Sequence, residues 1–380
     1  MSLYDQLKRA ENPSAALPKL LDALTVRRNL LTHLTLELTP LCNFRCGFCY
    51  ARISPEELER RGVRVMGFDA WKRYIDEAAD MNCMTLSLTG GECTLHPDFV
   101  KLYRHAYSRG FSINVFTNGS HITEEMLDTF REMPPSRLFV TLYGDSPRTY
   151  ETVVGCAAYC ETVKNNIRRM AAMKLDVVVQ GTFTRDNLHD MEALYDFSAS
   201  LGLEYRYTTQ LQLYGHCTPE VIEENRRLDA LAGQYSRNIW GKKNGIDPDA
   251  QARTERRITP APVSPDAVGI KCNAGKNAAF IRHDGMMLIC NTFDAFTVDT
   301  HGRSVADCFT ELNAWACSLR RIAECEGCIH SVHCTSCIAA HYNDTKTLGV
   351  PSPRLCFKIR EPEKAAQERA FYEEHGYIQV

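Results

Sequence analysis

No run of about 18 apolar residues occurs in the chain, so no segment reads as a membrane-spanning helix. The opening "MSLYDQLKRAENPSAALPKLL" lacks the basic start and apolar core of a signal peptide. A strong charge of one sign is missing too. The net charge is −3 at pH 7 and the pI about 6.5, which gives no general attraction to phosphate backbones and argues against a nucleic-acid partner. The densest basic run, "RTERR" at 253–257, reads as a solvated linker. Neither a membrane nor a nucleic acid is therefore expected as a partner, and the expected location is the cytoplasm. A reducing cytoplasm disfavours a disulfide framework. Yet the chain carries 17 cysteines, and clustered cysteines in that setting point to metal or catalysis.

Its 380 residues suffice for two domains. Residues 1–32 read as a helical segment. From 33 onward strand and helix patterns alternate. Strands are expected at "HLTLELT", "CMTLSLT", "FSINVFT", "RLFVTLY", "LDVVVQGTFT" and "EYRYTT". Helices are expected between them, including "FDAWKRYIDEAADM" with Asp69 as N-cap and "HPDFVKLYRHAYSRG" stopped by Gly110. Such alternation predicts an α/β fold with right-handed crossovers and a parallel sheet. Six units fall short of a closed eight-fold barrel, so a partial (β/α)6 barrel over 33–225 is the expectation, with ligands at the carboxyl ends of its strands. A long helix over 218–239 and a polar linker complete 226–265. From 266 the rhythm stops and cysteines dominate. A loop-rich second domain is expected over 266–362, held by something other than a large apolar core, with a tail over 363–380.

The first cysteine group is "LCNFRCGFCY", with Cys42, Cys46 and Cys49 directly after the first strand. Thiolates at that spacing suit iron–sulfur clusters or zinc. A structural zinc site wants four ligands, and no fourth is evident before Cys83. Three ligands leave one metal position open. Three further segments close the next strands: "TGGE" with Gly90, Gly91 and Glu92, "FTNGS" with Asn118, and "VTLYGDS" with Thr141. Glycines at 90 and 91 permit close backbone approach, and Glu92 offers acceptors for an ammonium.

In this order the four loops resemble those of the radical S-adenosylmethionine (SAM) enzymes, over roughly residues 33 to 210. The resemblance implies that Cys42, Cys46 and Cys49 hold a 4Fe–4S cluster whose fourth iron is ligated by SAM. It implies that Phe48 packs the adenine, that Gly90, Gly91 and Glu92 bind the methionyl amine, and that Asn118 and Thr141 lie against SAM. It also implies electron transfer from a low-potential donor such as flavodoxin or ferredoxin, and a 5′-deoxyadenosyl radical that abstracts a substrate hydrogen.

Farther on come Cys272, Gly285 and Cys290, then Cys325, Cys328, Cys334 and Cys337, then Cys356. Paired CxxC units alone would suggest a zinc ribbon. The whole arrangement resembles the SPASM extension of radical SAM enzymes, with one departure: two residues, not three, separate Cys334 from Cys337. The resemblance implies two auxiliary iron–sulfur clusters of the 4Fe–4S kind. Cys325, Cys328, Cys334 and Cys356 would close one. Cys272, Cys290 and Cys337 would hold the other, again with three ligands. The remaining seven, Cys83, Cys93, Cys156, Cys160, Cys217, Cys308 and Cys317, read as small buried apolar residues.

Enzymes with this extension commonly modify peptides or proteins. The resemblance therefore implies a peptide maturase that forms a thioether, C–C or C–O crosslink on a ribosomal peptide. Only about 32 residues precede the first strand, fewer than the roughly 80 of a leader-binding domain, so leader recognition is expected to use a separate leader-binding protein or another surface. One alternative is formylglycine formation, as in anaerobic sulfatase maturases. There an aspartate follows the cysteine matching Cys290, whereas this chain has Asn291, with Asp294 nearby. Radical modification of a small molecule is another enzyme reading. A non-catalytic metal-binding scaffold is the reading from outside enzymes. No catalytic acid or base is assigned.

Overall fold

The computed structural model describes residues 13–245, 270, 272–320, 322–325, 328 and 337–374. All six expected strands are present: β1 (His33–Glu37), β2 (Thr85–Thr89), β3 (Ser112–Thr117), β4 (Arg137–Thr141), β5 (Val177–Thr182) and β6 (Glu204–Thr208). Each pairs with the next in parallel. Helices Phe68–Asp80, Phe99–Ser108, Glu124–Glu132, Tyr159–Ala172 and Met191–Ser200 fall within the crossovers.

β2 and β3 alternate buried residues with less buried ones, as in β2 with Leu86 and Leu88 buried and its threonines and serine less so. Parallel strands covered on both faces normally read as unbroken apolar runs. Here the apolar face, Leu34, Leu36, Leu86, Leu88, Ile113, Val115, Leu138, Val140, Val177 and Val179, lies in one core with residues such as Trp71, Tyr103, Phe130 and Ile167 of the helices. The other face is largely polar. Register aligns Thr35 with Ser87, Asn114 and Arg137, and Thr141 with Gln180 and Arg206. A polar inner face is what a partial barrel with a ligand-filled lumen requires.

The second half departs from expectation. Residues 278–281 form β7 (Ala278–Ile281), which pairs in parallel with the free side of β1. β8 (Met286–Leu288) and β9 (Val298–Asp299) follow in antiparallel order, so the sheet has nine strands in the order β6-β5-β4-β3-β2-β1-β7-β8-β9. Ile281, Met287, Phe293, Val305, Phe309 and Leu312 join the same apolar core as the barrel. The expected break at 266 is therefore a break in rhythm and not in sheet or core.

Some smaller expectations hold and others are corrected. Gly67 is the N-cap of helix Phe68–Asp80, and Asp69 sits in its first turn, where a negative charge still favours the helix dipole. Gly110 takes a positive φ of 86° just past helix Phe99–Ser108, as a helix stop requires. The single helix expected over 218–239 is two, Pro219–Arg226 capped by Thr218 and Asp229–Asn244. Of the seven cysteines expected to be buried, Cys156, just before helix Tyr159–Ala172, and Cys317 are half-buried. The N-terminal helix is Pro13–Arg27, and the expected tail contains helix Pro362–Glu374. Residues 246–265 of the expected linker, and Cys334, lie outside the described residues. Among the described residues no helix is long and apolar enough to cross a membrane.

Candidate radical SAM site

The carboxyl ends of the strands surround a cavity of about 420 Å³. Cys42, Cys46 and Cys49 line it, with Phe48, Gly90, Gly91, Asn118 and Thr141. Thr182 and Thr208 from the ends of β5 and β6, and Gln210 and Gln212 beyond, form another part of the wall. Cys290, Asn291 and Thr292 reach it from the segment after β8. So residues expected in two separate domains share one cavity.

The cysteine loop is clamped from several sides. Gly91 N donates to Thr39 O at 2.7 Å and Glu92 N to Leu41 O at 2.8 Å, which carries the β1–β2 pairing on into the loop. Arg45 N donates to Val154 O at 3.0 Å, and His216 N to Cys49 O at 2.8 Å. A Cβ on Gly90 would stand 2.4 Å from Thr39 O, and one on Gly91 would stand 2.4 Å from Leu41 O. These glycines are needed because backbone packs on backbone, whatever ligand approaches from the other side.

Asn118 lines the cavity, and its amide is held in a small network. Its Nδ2 donates to Asn43 Oδ1 at 3.0 Å and lies 3.6 Å from Cys42 Sγ. Its Oδ1 accepts from Ser120 N at 2.9 Å and Ser120 Oγ at 2.6 Å. Glu92 is the expected contact that does not line the cavity. It is 1% exposed, and its carboxylate accepts from Thr94 N, Thr94 Oγ1, Thr117 Oγ1 and Asn118 N at 2.6–3.1 Å. Its observed work is to lock the loop after β2 to the loop after β3.

Burial pushes the Cys42 and Cys46 thiols up to about 12. Both are thus protonated in the metal-free chain at neutral pH, and loading a metal there must release protons. A backbone hydrogen bond to the Cys42 sulfur acts the other way. Phe44 N donates to Cys42 Sγ at 3.3 Å and Arg52 N to Cys49 Sγ at 3.2 Å. Among the described residues, no three His, Cys, Asp or Glu side chains converge on a position for a single ion. The three thiols instead line a wall, with donors turned toward sulfur, and this donor set fits an iron–sulfur cluster.

Two tyrosines were not singled out by sequence reasoning. Tyr143 follows Thr141 by two residues and lines the cavity, its ring 5.8 Å from Phe44 and 6.2 Å from Phe48. The i, i+2 spacing from Thr141 was the available signal. Tyr50 also lines the cavity and lies beside Asn291, so the first cysteine loop approaches the residue after Cys290 there. Nearby, the buried pair Glu37–His283 ties the end of β1 to the turn after β7, with Oε2 2.6 Å from Nδ1. Two further histidines also have structural partners: His96 meets Met66 O at 2.8 Å and His216 meets Arg52 O at 2.8 Å.

Of the later cysteines, burial pushes the Cys290 thiol up, and Cys272 and Cys337 lie close enough to add to that effect. Cys325 and Cys328 share one turn, with Cys328 N donating to Cys325 O at 3.4 Å. Cys337 and Cys356 are the N-caps of helices Ile338–Thr345 and Phe357–Arg360.

The class follows from this arrangement and from comparison. Residues 36–198 match the radical SAM superfamily, and the chain carries a radical SAM domain. That domain implies a 4Fe–4S cluster and SAM. Among individual relatives, the chain is 27% identical over 180 residues to the PqqA peptide cyclase of Rhodopseudomonas palustris, covering 47% of each protein. It is 26% identical over 263 residues to the PqqA peptide cyclase of Ruegeria pomeroyi, covering 67% of this chain and 66% of that one. The matches thus span about half of the first relative and 66% of the second. In fold the chain is similar to Streptococcus suis SuiB bound to S-adenosylmethionine, with TM-score 0.58, 15% identity, and 83% and 76% of the two chains covered. It is likewise similar to anSMEcpe with bound AdoMet, with TM-score 0.58, 14% identity, and 90% and 97% covered.

Proposed function

We propose that the chain is a radical SAM enzyme that modifies a ribosomal peptide or protein side chain, forming a thioether, C–C or C–O crosslink. The observation that carries this reading is the single cavity lined both by Cys42, Cys46 and Cys49 and by Cys290. A peptide substrate is supported by the sequence relatives named PqqA peptide cyclase. A 4Fe–4S cluster on the first three cysteines, with SAM, supplies a 5′-deoxyadenosyl radical for hydrogen abstraction.

The chain's own residues bind and orient. Gly90, Gly91, Phe48 and Thr141 offer SAM a wall of backbone, ring and hydroxyl. Among the described lining residues there is no Asp, Glu, Lys, Arg or His. Gln180, Gln210, Gln212, Thr182 and Thr208 provide neutral hydrogen-bonding groups for the substrate instead. Hydrogen-atom abstraction asks for no charged base at that wall. The formylglycine alternative asks for a carboxylate beside Cys290. Asn291 stands there, and Asp294 does not line the cavity but accepts from the Tyr214 hydroxyl at 3.4 Å.

Two auxiliary clusters belong to the same reading. Cys272, Cys290 and Cys337 hold one, and Cys325, Cys328, Cys334 and Cys356 the other. A flavodoxin or ferredoxin supplies electrons, a separate protein presents the leader, and the enzyme works in the cytoplasm. Anaerobic reconstitution tests the reading. Three 4Fe–4S clusters require about twelve irons per chain. With dithionite and SAM, the wild-type chain forms 5′-deoxyadenosine and Cys42→Ala does not. Zinc without iron, or undiminished product from Cys42→Ala, overturns it.

A further inference from the structure

The sulfurs of Cys42 and Cys49 receive hydrogen bonds, and a hydroxyl stands near that of Cys46. Two of the donors are backbone amides of the loop itself, Phe44 N and Arg52 N. The other two groups are side chains brought by different strands. Asn118, past β3, places Nδ2 3.6 Å from Cys42 Sγ. Tyr143, past β4, stands with its hydroxyl near Cys46. Both line the cavity beside the cysteines they meet.

Neither donor is free to turn away. Ser120 donates twice to Asn118 Oδ1, which commits the NH₂ end toward Asn43 and Cys42. The Tyr143 ring is fixed against Phe44 and Phe48. A phenylalanine would reproduce that packing, so the hydroxyl is the part that packing does not require.

We propose that Asn118 and Tyr143 are positioning residues for the cluster that Cys42, Cys46 and Cys49 would hold, donating to the ligand sulfurs and raising its reduction potential. This rests on the reading of the cysteine group given above. Hydrogen bonds to sulfur are among the determinants of iron–sulfur potentials. Reduction adds negative charge to cluster and ligands, so a donor aimed at sulfur stabilises the reduced form more than the oxidised one. Removing the donor lowers the potential and makes reduction harder. Asn118 thereby gains a role distinct from the SAM contact its loop suggests.

The test is a redox titration of the anaerobically reconstituted full chain, followed by electron paramagnetic resonance, with iron counted in parallel. The signal that changes on adding SAM identifies the cluster concerned. Tyr143→Phe and Asn118→Ala are each expected to keep wild-type iron and to titrate at lower potential. The double variant is expected to lose about tenfold in the reduction equilibrium, which is about 59 mV for one electron. An unchanged potential with iron retained overturns the proposal and leaves the functional reading standing. Loss of iron from Tyr143→Phe also overturns it, since the hydroxyl would then serve assembly. A wild-type chain with no SAM-responsive iron–sulfur signal overturns the functional reading itself.

Discussion

Glu92 is tolerated in the interior because four donors reach its carboxylate. Burial pushes this carboxyl up from its ordinary range, and the donors from Thr94, Thr117 and Asn118 pull against that. A glutamine there would keep the shape but turn an NH₂ group toward a cluster of donors. Leaving buried donors unsatisfied costs about 1–3 kcal/mol. Glu92→Gln is therefore expected to lower the melting temperature of the metal-free, SAM-free chain. If calorimetry instead finds that temperature unchanged while SAM binding weakens, the residue is a ligand contact and not a lock. The thiols make a second prediction at this scale. Cys42 and Cys46 rise from an ordinary value of 9.0 to about 12 on burial, so the folded metal-free chain holds protons that the unfolded chain releases. Their contribution is complete below about pH 9 and is lost as pH rises toward about 12. Melting temperatures of the metal-free chain should fall across that window, and less steeply in a Cys42→Ala, Cys46→Ala double variant. Equal slopes would refute the assignment.

The loop after β2 and the cysteine loop behave as one element. Two hydrogen bonds join them, and Gly91 has no room for a side chain between Pro40 O and Leu41 O. Gly91→Ala must push the cysteine loop outward, at the roughly 1–3 kcal/mol typical of overpacking. The expected result is a folded chain that binds much less iron at the SAM-responsive site. Full iron occupancy with an unshifted melting temperature would show that the loop yields freely. The motif "TGGE" was visible in the sequence, but its structural reason was not, because the atoms it avoids belong to Thr39, Pro40 and Leu41. The same holds more widely. Six strands were legible because short apolar or alternating runs recur between helical patterns, and Cys42, Cys46 and Cys49 because their spacing is local. Tyr143 and the approach of Tyr50 to Asn291 were not legible, since each becomes functional only through a partner distant in sequence. The break after Arg226 was missed because no glycine or proline marks it.

At the scale of the whole molecule, the two halves are bound through β1. One side of this strand meets β2 and the other meets β7, and Glu37 at its end is paired with His283. β7 was hard to see in advance. It is four residues long and lies among glycines and cysteines, so its pairing with β1 leaves little local trace. Helix Phe68–Asp80 adds further ties: Arg73 donates to Thr300 O and Arg303 O, Tyr74 meets Thr300 Oγ1 at 2.7 Å, and Glu77 accepts from Val305 N at 2.7 Å. Removing everything after residue 245 would strip β1 of a partner strand, leave Glu37 without His283, and expose the helix face that carries Arg73 and Glu77. Leaving buried Glu37 without its hydrogen-bond partner alone costs about 1–3 kcal/mol, a sizeable share of ordinary domain stability. A chain of residues 1–245 is therefore expected to lack a cooperative melt in circular dichroism and to be cut rapidly by protease, although it contains all six barrel strands. A sharp melt and a protease-resistant core in that fragment would mean that the barrel folds alone, and that the later residues dock on it as a separate unit.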